Sequence, residues 1–285
     1  MSFNVTKVIM PLAGLGTRFL PLSKVVPKEL WPLGEKPVMQ YIIDEALASG
    51  IKEFVFVLSP EKKIILDYLK PAQKLEKVLE QRQKTELLKE LRSMPLIDFK
   101  VAYQRKPKGD GDAILKAGFS IESLVKAGDP ISDTPYAVLF GDDLIWGEEP
   151  ALAQLLSVFR NYHQPIICLA RVPREKFSHY GMVACEKIAN RLYKIKGIVE
   201  KPSPENSPSD LAIVGKYIIT PEVFKYLKET KPTPTGEIIL ANAFSRMLKQ
   251  GKLIYGYEVK GEWLECGTKK DYIKTFLKIA NMQRA

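Results

Sequence analysis

"MPLAGLGTRFLPLSKVVPKELWPLGEKP", residues 10–37, follows the apolar, β-branched run "VTKVIM" (5–10). A short run of that kind reads as a buried strand ending near Met10. Beyond it the period changes. "PVMQYIIDEALASG" (37–50) opens on proline, carries apolar residues at helical spacing and closes on glycine. Those are the start and stop signals of one helix. "EFVFVLSP" (53–60) is a second strand. Strand, loop, helix, strand is the unit of an α/β domain with a parallel sheet. The quoted stretch is then the loop that leaves its first strand.

Outward from this unit the alternation continues. Residues 61–94 are charged and leucine-spaced with a proline at 71, and predict two helices. The Leu75, Val78 and Leu79 face of the second is expected in the core. "FKVAYQ" (99–104) and "YAVLFGDDLI" (136–145) read as strands, and "GDAILKAGFSIESLV" (111–125) as a helix. "PIICLARV", "GMVACEKI" and "RLYKIKGIVEKP" are short runs of antiparallel character. "LAIVGKYII" follows, then helices near 221–229 and 236–250, a hairpin in "LIYGYEVKGEWLECG" and a closing helix in "KKDYIKTFLKIANM". "KPSPENSPSD" (201–210) is short enough to be a surface excursion inside one domain.

The chain has 285 residues, 46% of them apolar, so a sizeable core can form in one large domain or two modest ones. Its formal charge is +10, which favours an anionic partner. Nucleic acid is excluded, because no binding motif and no aromatic interleaving accompany the charge. Cys168, Cys185 and Cys266 are widely spaced and predict free thiols in a reducing compartment. Only His163 and His179 are present, too few to supply a zinc site or a Ser-His-Asp triad. The N-terminus lacks a signal-peptide pattern, and no apolar run approaches the roughly 20 residues of a membrane span. The expected place is the cytoplasm.

Gly14 and Gly16 would let backbone N–H groups approach phosphate oxygens. The third glycine of the dinucleotide fingerprint falls on Phe19, and no P-loop pattern is present. From the pair alone, a plain loop is the simpler reading. The cations change this. Arg18 and Lys28 lie in a loop stiffened by Pro21 and Pro27, where a guanidinium fork and a compact ammonium can meet one polyphosphate.

"LAGLGTRFLPLSKVVPKELWPLGEKPVMQY" closely resembles the N-terminal signature of the sugar-1-phosphate nucleotidylyltransferases. The resemblance spans nearly the whole chain. It takes in the insert at 61–94, "QRKPKGDGDAI" (104–114), "YGMV" (180–183), "VEKPSPENSPSDLAIVGKYI" (199–218), "TGEIILANA" (235–243) and "WLECGT" (263–268). The insert and "SDLAIVGKY" favour the bacterial uridylyl-transferring branch. The implied fold is α/β: a Rossmann-like mixed, mostly parallel central sheet flanked by helices, with a small antiparallel sugar-binding sub-region. The implied organisation is a single nucleotidyltransferase domain over 1–285. Within it, 1–150 binds nucleotide and carries the insert, and 165–285 binds sugar phosphate. The implied reaction is Mg²⁺-dependent transfer of uridylyl from UTP to glucose 1-phosphate, giving UDP-glucose and pyrophosphate, in a homo-oligomer.

The resemblance also assigns residues. Ala13, Gly14, Gly16 and Arg18 hold the triphosphate, with Arg18 near the leaving pyrophosphate and Lys28 on the α-phosphate. Glu29 and Gln104 take the pyrimidine, beside the backbone of Gly109 and Gly111. An amide suits that task because it offers both donor and acceptor. Asp142, with Asp143 as a rival, and Glu265 hold the metal. Lys201 holds the sugar phosphate, Glu200 accepts from sugar hydroxyls, and Gly181 allows close backbone approach. Tyr217 reads as a packing residue. The chain departs from the family pattern at Glu265 (usually Asp), Asp112 (usually His), Ile239 and Asn242 (usually polar residues of "GEIQLTDA"). These departures leave base and sugar choice open. The rivals are thymidylyl or cytidylyl transfer, and a weakened paralogue that binds nucleotide sugar and regulates a partner.

Overall fold

The computed structural model describes residues 4–122 and 134–284. In chain order its elements begin with β1 (Lys7–Pro11), the short strands β2 (Pro32–Leu33) and β3 (Lys36–Pro37), α1 (Val38–Ala48) and β4 (Glu53–Leu58). The insert forms α2 (Ile64–Leu69), α3 (Gln73–Gln81) and α4 (Thr85–Arg92). Then come β5 (Asp98–Tyr103), α5 (Gly109–Glu122), β6 (Tyr136–Leu139), β7 (Asp143–Trp146), α6 (Ala151–Tyr162) and β8 (Ile166–Arg171). The chain continues through β9 (Gly181–Ala189), β10 (Leu192–Glu200), β11 (Leu211–Ile219), α7 (Pro221–Lys228) and α8 (Leu240–Lys249). It closes with β12 (Tyr255–Glu258), β13 (Glu262–Glu265) and α9 (Lys269–Arg284).

One nine-stranded sheet runs in the order β5-β4-β1-β6-β11-β8-β12-β10-β9. Strands β5, β4, β1 and β6 are parallel, as the βαβ reading requires. From β11 onward the sheet is mixed, with β12 parallel to β8 and the other neighbours antiparallel. The cause is connection length. Only Asn190 and Arg191 separate β9 from β10, and so short a link cannot carry a parallel crossover.

Alternate residues of the parallel strands feed two cores. Val8, Met10, Phe54 and Phe56 meet α1 and α6 on one face. Ile9, Val55 and Val57 meet α5, α7 and α8 on the other. Burial on both faces explains why these strands read as continuous apolar runs.

Four expectations are corrected at the level of the fold, and one falls partly outside the described residues. The insert holds three helices, and no residue of α3 or α4 is buried. Leu75 and Val78 are exposed, because α3 and α4 pair with each other through Arg92 on Glu76 and Glu80. The run 136–145 is broken at Phe140–Asp142 into β6 and β7. The expected hairpin at 253–267 does not form: β12 joins the main sheet, whereas β13 pairs with β7. The last part of the helix expected at 111–125 lies beyond the described residues.

Beneath the sheet, Lys216 on β11 is fully buried and its ammonium lies 2.8 Å from Glu45 of α1. The same carboxylate accepts the Leu152 N–H at 3.0 Å, which starts α6. Removing one partner leaves a buried charge uncompensated, at a cost of about 3–5 kcal/mol. Lys216→Met is therefore expected to lose about that much stability in urea unfolding. Lys216→Met combined with Glu45→Gln is expected to recover part of it. Equal losses in the two variants would contradict the ion-pair account.

Candidate active site

The loop quoted at the outset is held at both ends. The Lys62 ammonium, just after β4, reaches the Leu12 carbonyl at 2.7 Å and both oxygens of Glu29 at 2.8 Å. Further along, Phe19 packs edge-on against Trp31, with ring centroids 4.8 Å apart, and Trp31 does the same against Tyr272 of α9 at 5.1 Å. The Tyr272 hydroxyl donates to the Pro32 carbonyl, and Lys269 to that of Leu20. Gly16 sits at φ +64°, where a side chain would be strained and would press on Ser23. Nothing lies within 4 Å of the position a Gly14 side chain would take. The turn is open there to a bound group.

Lys28 and Asp142 form an ion pair at the centre of the site. Burial pulls the Lys28 ammonium down, but Asp142, Glu29 and Asp143 outweigh it and hold the group above the ordinary lysine value. Burial pushes the Asp142 carboxyl up, but Lys28, Lys62 and Arg18 outweigh that and hold it below the usual carboxylate range. Both groups are thus kept charged. Asp143 is used otherwise. It accepts the Trp263 indole N–H at 3.0 Å and the Gly215 N–H at 3.1 Å. Burial and the neighbouring Asp142 charge push it up to about 7.

Two cavities meet at Asp142. One, of about 440 Å³, is lined by Ala13, Gly14, Lys28, Gln104 and Gly109. The other, of about 930 Å³, is lined by Arg18, Gly181, Glu200, Lys201 and Glu265. In the first, the Gln104 amide donates to the Gly109 carbonyl at 2.9 Å and to Asp112 at 2.8 Å. Gly109 has φ +88°, and a side chain there would run into the Ile238 carbonyl. That carbonyl accepts the Gly111 N–H at 2.9 Å, and Ile238 donates to Lys108 at 2.8 Å. The helix expected to begin at residue 236 begins instead at Leu240: residues 236–239 are not helical and seal the start of α5.

In the larger cavity, Glu200 and Lys201 are half-exposed, with charges 3.4 Å apart. Lys201 has φ +47°, an uncommon conformation for a non-glycine residue, and its N–H donates to the Tyr180 carbonyl at 3.0 Å. A side chain at Gly181 would come within 3.1 Å of Glu200. Tyr217 lines the cavity and also packs on the rings of Phe140 and Phe244. Ile239 faces the same space, whereas Asn242 is exposed on α8.

Among the described residues, no three or more His, Cys, Asp or Glu side chains gather as a metal site. The set nonetheless fits a magnesium ion that keeps mostly water and phosphate ligands. Asp142 is ionised and borders both cavities. Glu265 shares the larger cavity, but its oxygens are taken by Lys176 at 2.5 Å and by the Tyr180 hydroxyl. It would serve a metal only by releasing one of them.

The structure gathers the sequence-derived residues around the two cavities except Gly16 and Gly111, which line neither; of those that do, Glu29 is 2% exposed with both oxygens on Lys62, and Glu265 is paired. Sequence reasoning missed Lys62, Lys176 and Asp110. Nothing in "SPEKK" singles out Lys62. The acidic pair flanking Gly111 was a visible signal for Asp110.

Asp110 borders both cavities and ties α5 to α8, accepting the Gly111 N–H at 2.7 Å and the Leu240 N–H at 3.0 Å. Burial pushes its carboxyl up to about 6, against the pull of those N–H groups. The folded state then holds this proton more tightly than the unfolded chain. The resulting stabilisation is complete below the ordinary aspartate value near ~4 and is lost as pH rises through about 6. Asp110→Asn keeps an acceptor for both N–H groups and cannot ionise. Its melting temperature relative to the native protein is expected to rise between pH ~4 and ~6 and level off above. A pH-independent difference would contradict this.

Comparisons with known proteins agree with the geometry. The "Nucleotidyl transferase" family model matches residues 7–282. A UTP–glucose-1-phosphate uridylyltransferase of Bacillus subtilis (strain 168) is 38% identical over 97% of this chain and 91% of its own. One from Staphylococcus haemolyticus (strain JCSC1435) is 37% identical over 97% and 93%. A UDP-glucose pyrophosphorylase solved with UDP-glucose superposes with a TM-score of 0.83 at 33% identity, covering 99% of this chain and all of that one. The UTP-bound UGPase of Acinetobacter baumannii gives 0.86 at 30%, covering 99% and 98%. With its fold, its cation-lined loop and its paired cavities, this chain belongs to the nucleotidyl transferase family.

Proposed function

We propose that this enzyme transfers uridylyl from UTP to glucose 1-phosphate, giving UDP-glucose and pyrophosphate. The observation that carries the reading is the meeting of two cavities at the Lys28–Asp142 pair. One is walled by the glycine loop and an amide, the other by Lys201, Glu200 and Arg18. The names of the relatives supply the base and the sugar.

The chemistry needs no protein nucleophile. A phosphate oxygen of glucose 1-phosphate attacks the α-phosphorus of UTP, a new P–O bond forms, and the bond to the β-phosphate oxygen breaks. The protein must bring two anions together and stabilise the charge that develops. Lys28, held charged, meets the α-phosphate. Arg18, exposed and in no ion pair among the described residues, takes the leaving pyrophosphate. Ala13, Gly14 and Gly16 cradle the triphosphate. Gln104 reads the uracil, with Gly109 and Gly111 beside it and Glu29 below. Lys201 holds the sugar phosphate, and Glu200, with room left by Gly181, accepts from sugar hydroxyls. Asp142 and Glu265 would hold Mg²⁺, which when bound neutralises phosphate charge.

Residues 1–150 then serve the nucleotide and 165–285 the sugar phosphate, within one domain built on one sheet. A homo-oligomer is supported by the exposed Ile273 and Leu277 on α9. A cytoplasmic setting accords with the free cysteines; among the described residues, no helix is long and apolar enough to cross a membrane.

Pyrophosphate release with glucose 1-phosphate and Mg²⁺, offering each nucleoside triphosphate in turn, is expected with UTP. Preference for another base would move the assignment. Lys28→Ala is expected to lower kcat by about 10²–10³, the usual effect of removing one preorganised charge donor. Near-normal turnover in that variant would remove Lys28 from the mechanism.

A further inference from the structure

We infer that Asp112 selects the base indirectly, by locking the Gln104 amide so that it shows only its carbonyl to the nucleotide cavity. The inference rests on the function proposed above. Gln104 follows β5 directly, and its backbone N–H is fixed on the Leu58 carbonyl at 2.9 Å. Its side-chain nitrogen donates to the Gly109 carbonyl at 2.9 Å and to an Asp112 carboxylate oxygen at 2.8 Å. An amide nitrogen has two protons, so both are committed. Each partner is an acceptor. Turning the amide over would set its oxygen against two other oxygens, so only one orientation is satisfied.

The lock is itself well held. Asp112 is 8% exposed and lies in the first turn of α5, where a carboxylate is favoured by the helix dipole. The Gly109 carbonyl is placed by the backbone bonds between residues 108–111 and Ile238. What remains of Gln104 is Oε1. The residue is 5% exposed and lines the cavity it shares with Gly14 and Lys28. Among the described residues, the one sealed side-chain polar atom without a partner is Ser23 Oγ. Gln104 Oε1 therefore opens on the cavity as an acceptor in need of a donor.

A uracil offers one donor on its pairing edge, N3–H, between two carbonyls. A carbonyl that reads uracil has that proton to read. Cytosine places a lone pair at N3, which an oxygen facing it cannot satisfy. Thymine shares the uracil edge, so this lock separates uracil and thymine from cytosine and does not separate them from each other. Asp112 is a positioning residue: it acts on the base through Gln104.

The test compares kcat/KM for UTP and CTP in the native enzyme and in Asp112→Asn, with glucose 1-phosphate and Mg²⁺. An asparagine can accept from the Gln104 nitrogen or donate to its oxygen, so the lock gains a second state. The UTP-over-CTP ratio is expected to fall about tenfold or more. A merely structural role would lower both activities and leave the ratio alone, and an unchanged ratio overturns the inference. If the variant does not fold, the native protein answers by displacement of bound UTP. There 3-methyl-UTP, which lacks the N3 proton, is expected to compete about tenfold or more weakly than 5-methyl-UTP, which keeps it. Equal competition overturns the inference. A native enzyme that binds UTP and discriminates these analogues, yet turns over no glucose 1-phosphate, would overturn the functional reading and leave the recognition of N3–H standing.

Discussion

The ammonium of Lys62 holds the floor of this site. It bridges the end of the first strand, through the Leu12 carbonyl, to Glu29, the residue next to Lys28. Apart from the buried Phe19, the glycine loop between these points is short 3₁₀ turns and mostly exposed apolar side chains. A loop of that kind has little core of its own. Burial lowers the Lys62 ammonium below the ordinary lysine value even though Glu29 opposes it, so the bridge carries a real desolvation cost. In return, Lys28 has a fixed base from which to reach Asp142.

A second pattern follows from this. Cations and carboxylates in the site are stacked in depth: Glu29 on Lys62, Lys28 on Asp142, Glu265 on Lys176, Glu200 beside Lys201. Of these, the Lys28–Asp142 pair holds both its members charged. Under the proposed function, incoming phosphates and sugar hydroxyls meet groups already in place, which is the preorganisation that phosphoryl chemistry demands.

Much of this was legible in the chain. The period change between residues 10 and 58 announced the parallel unit, and the "LAGLGTRFLPLSKVVPKEL" and "VEKP" signatures named Arg18, Lys28, Glu200 and Lys201, all of which line the two cavities. What failed was tertiary. The α3 face resembles any amphipathic helix, and only its pairing with α4 leaves it outside the core. The apolar run 136–145 hides a break, because nothing local reveals that Asp143 must turn to meet Gly215 and Trp263. Lys216 was a fair signal that went unused, since a lysine inside "LAIVGKYII" requires a buried acid somewhere.

The pairing of β13 with β7 has a temporal side. Strand β7 opens immediately after Asp142, but the strand that closes it lies near the end of the chain. The ring that braces Phe19 and Trp31 comes later still, from Tyr272. On the ribosome, the loop and its carboxylate emerge long before the segments that hold them. The parallel half of the sheet can assemble early, while the candidate site is finished only when the last helix docks. A chain released short of that helix would keep much of its core and lack the brace over its glycine loop.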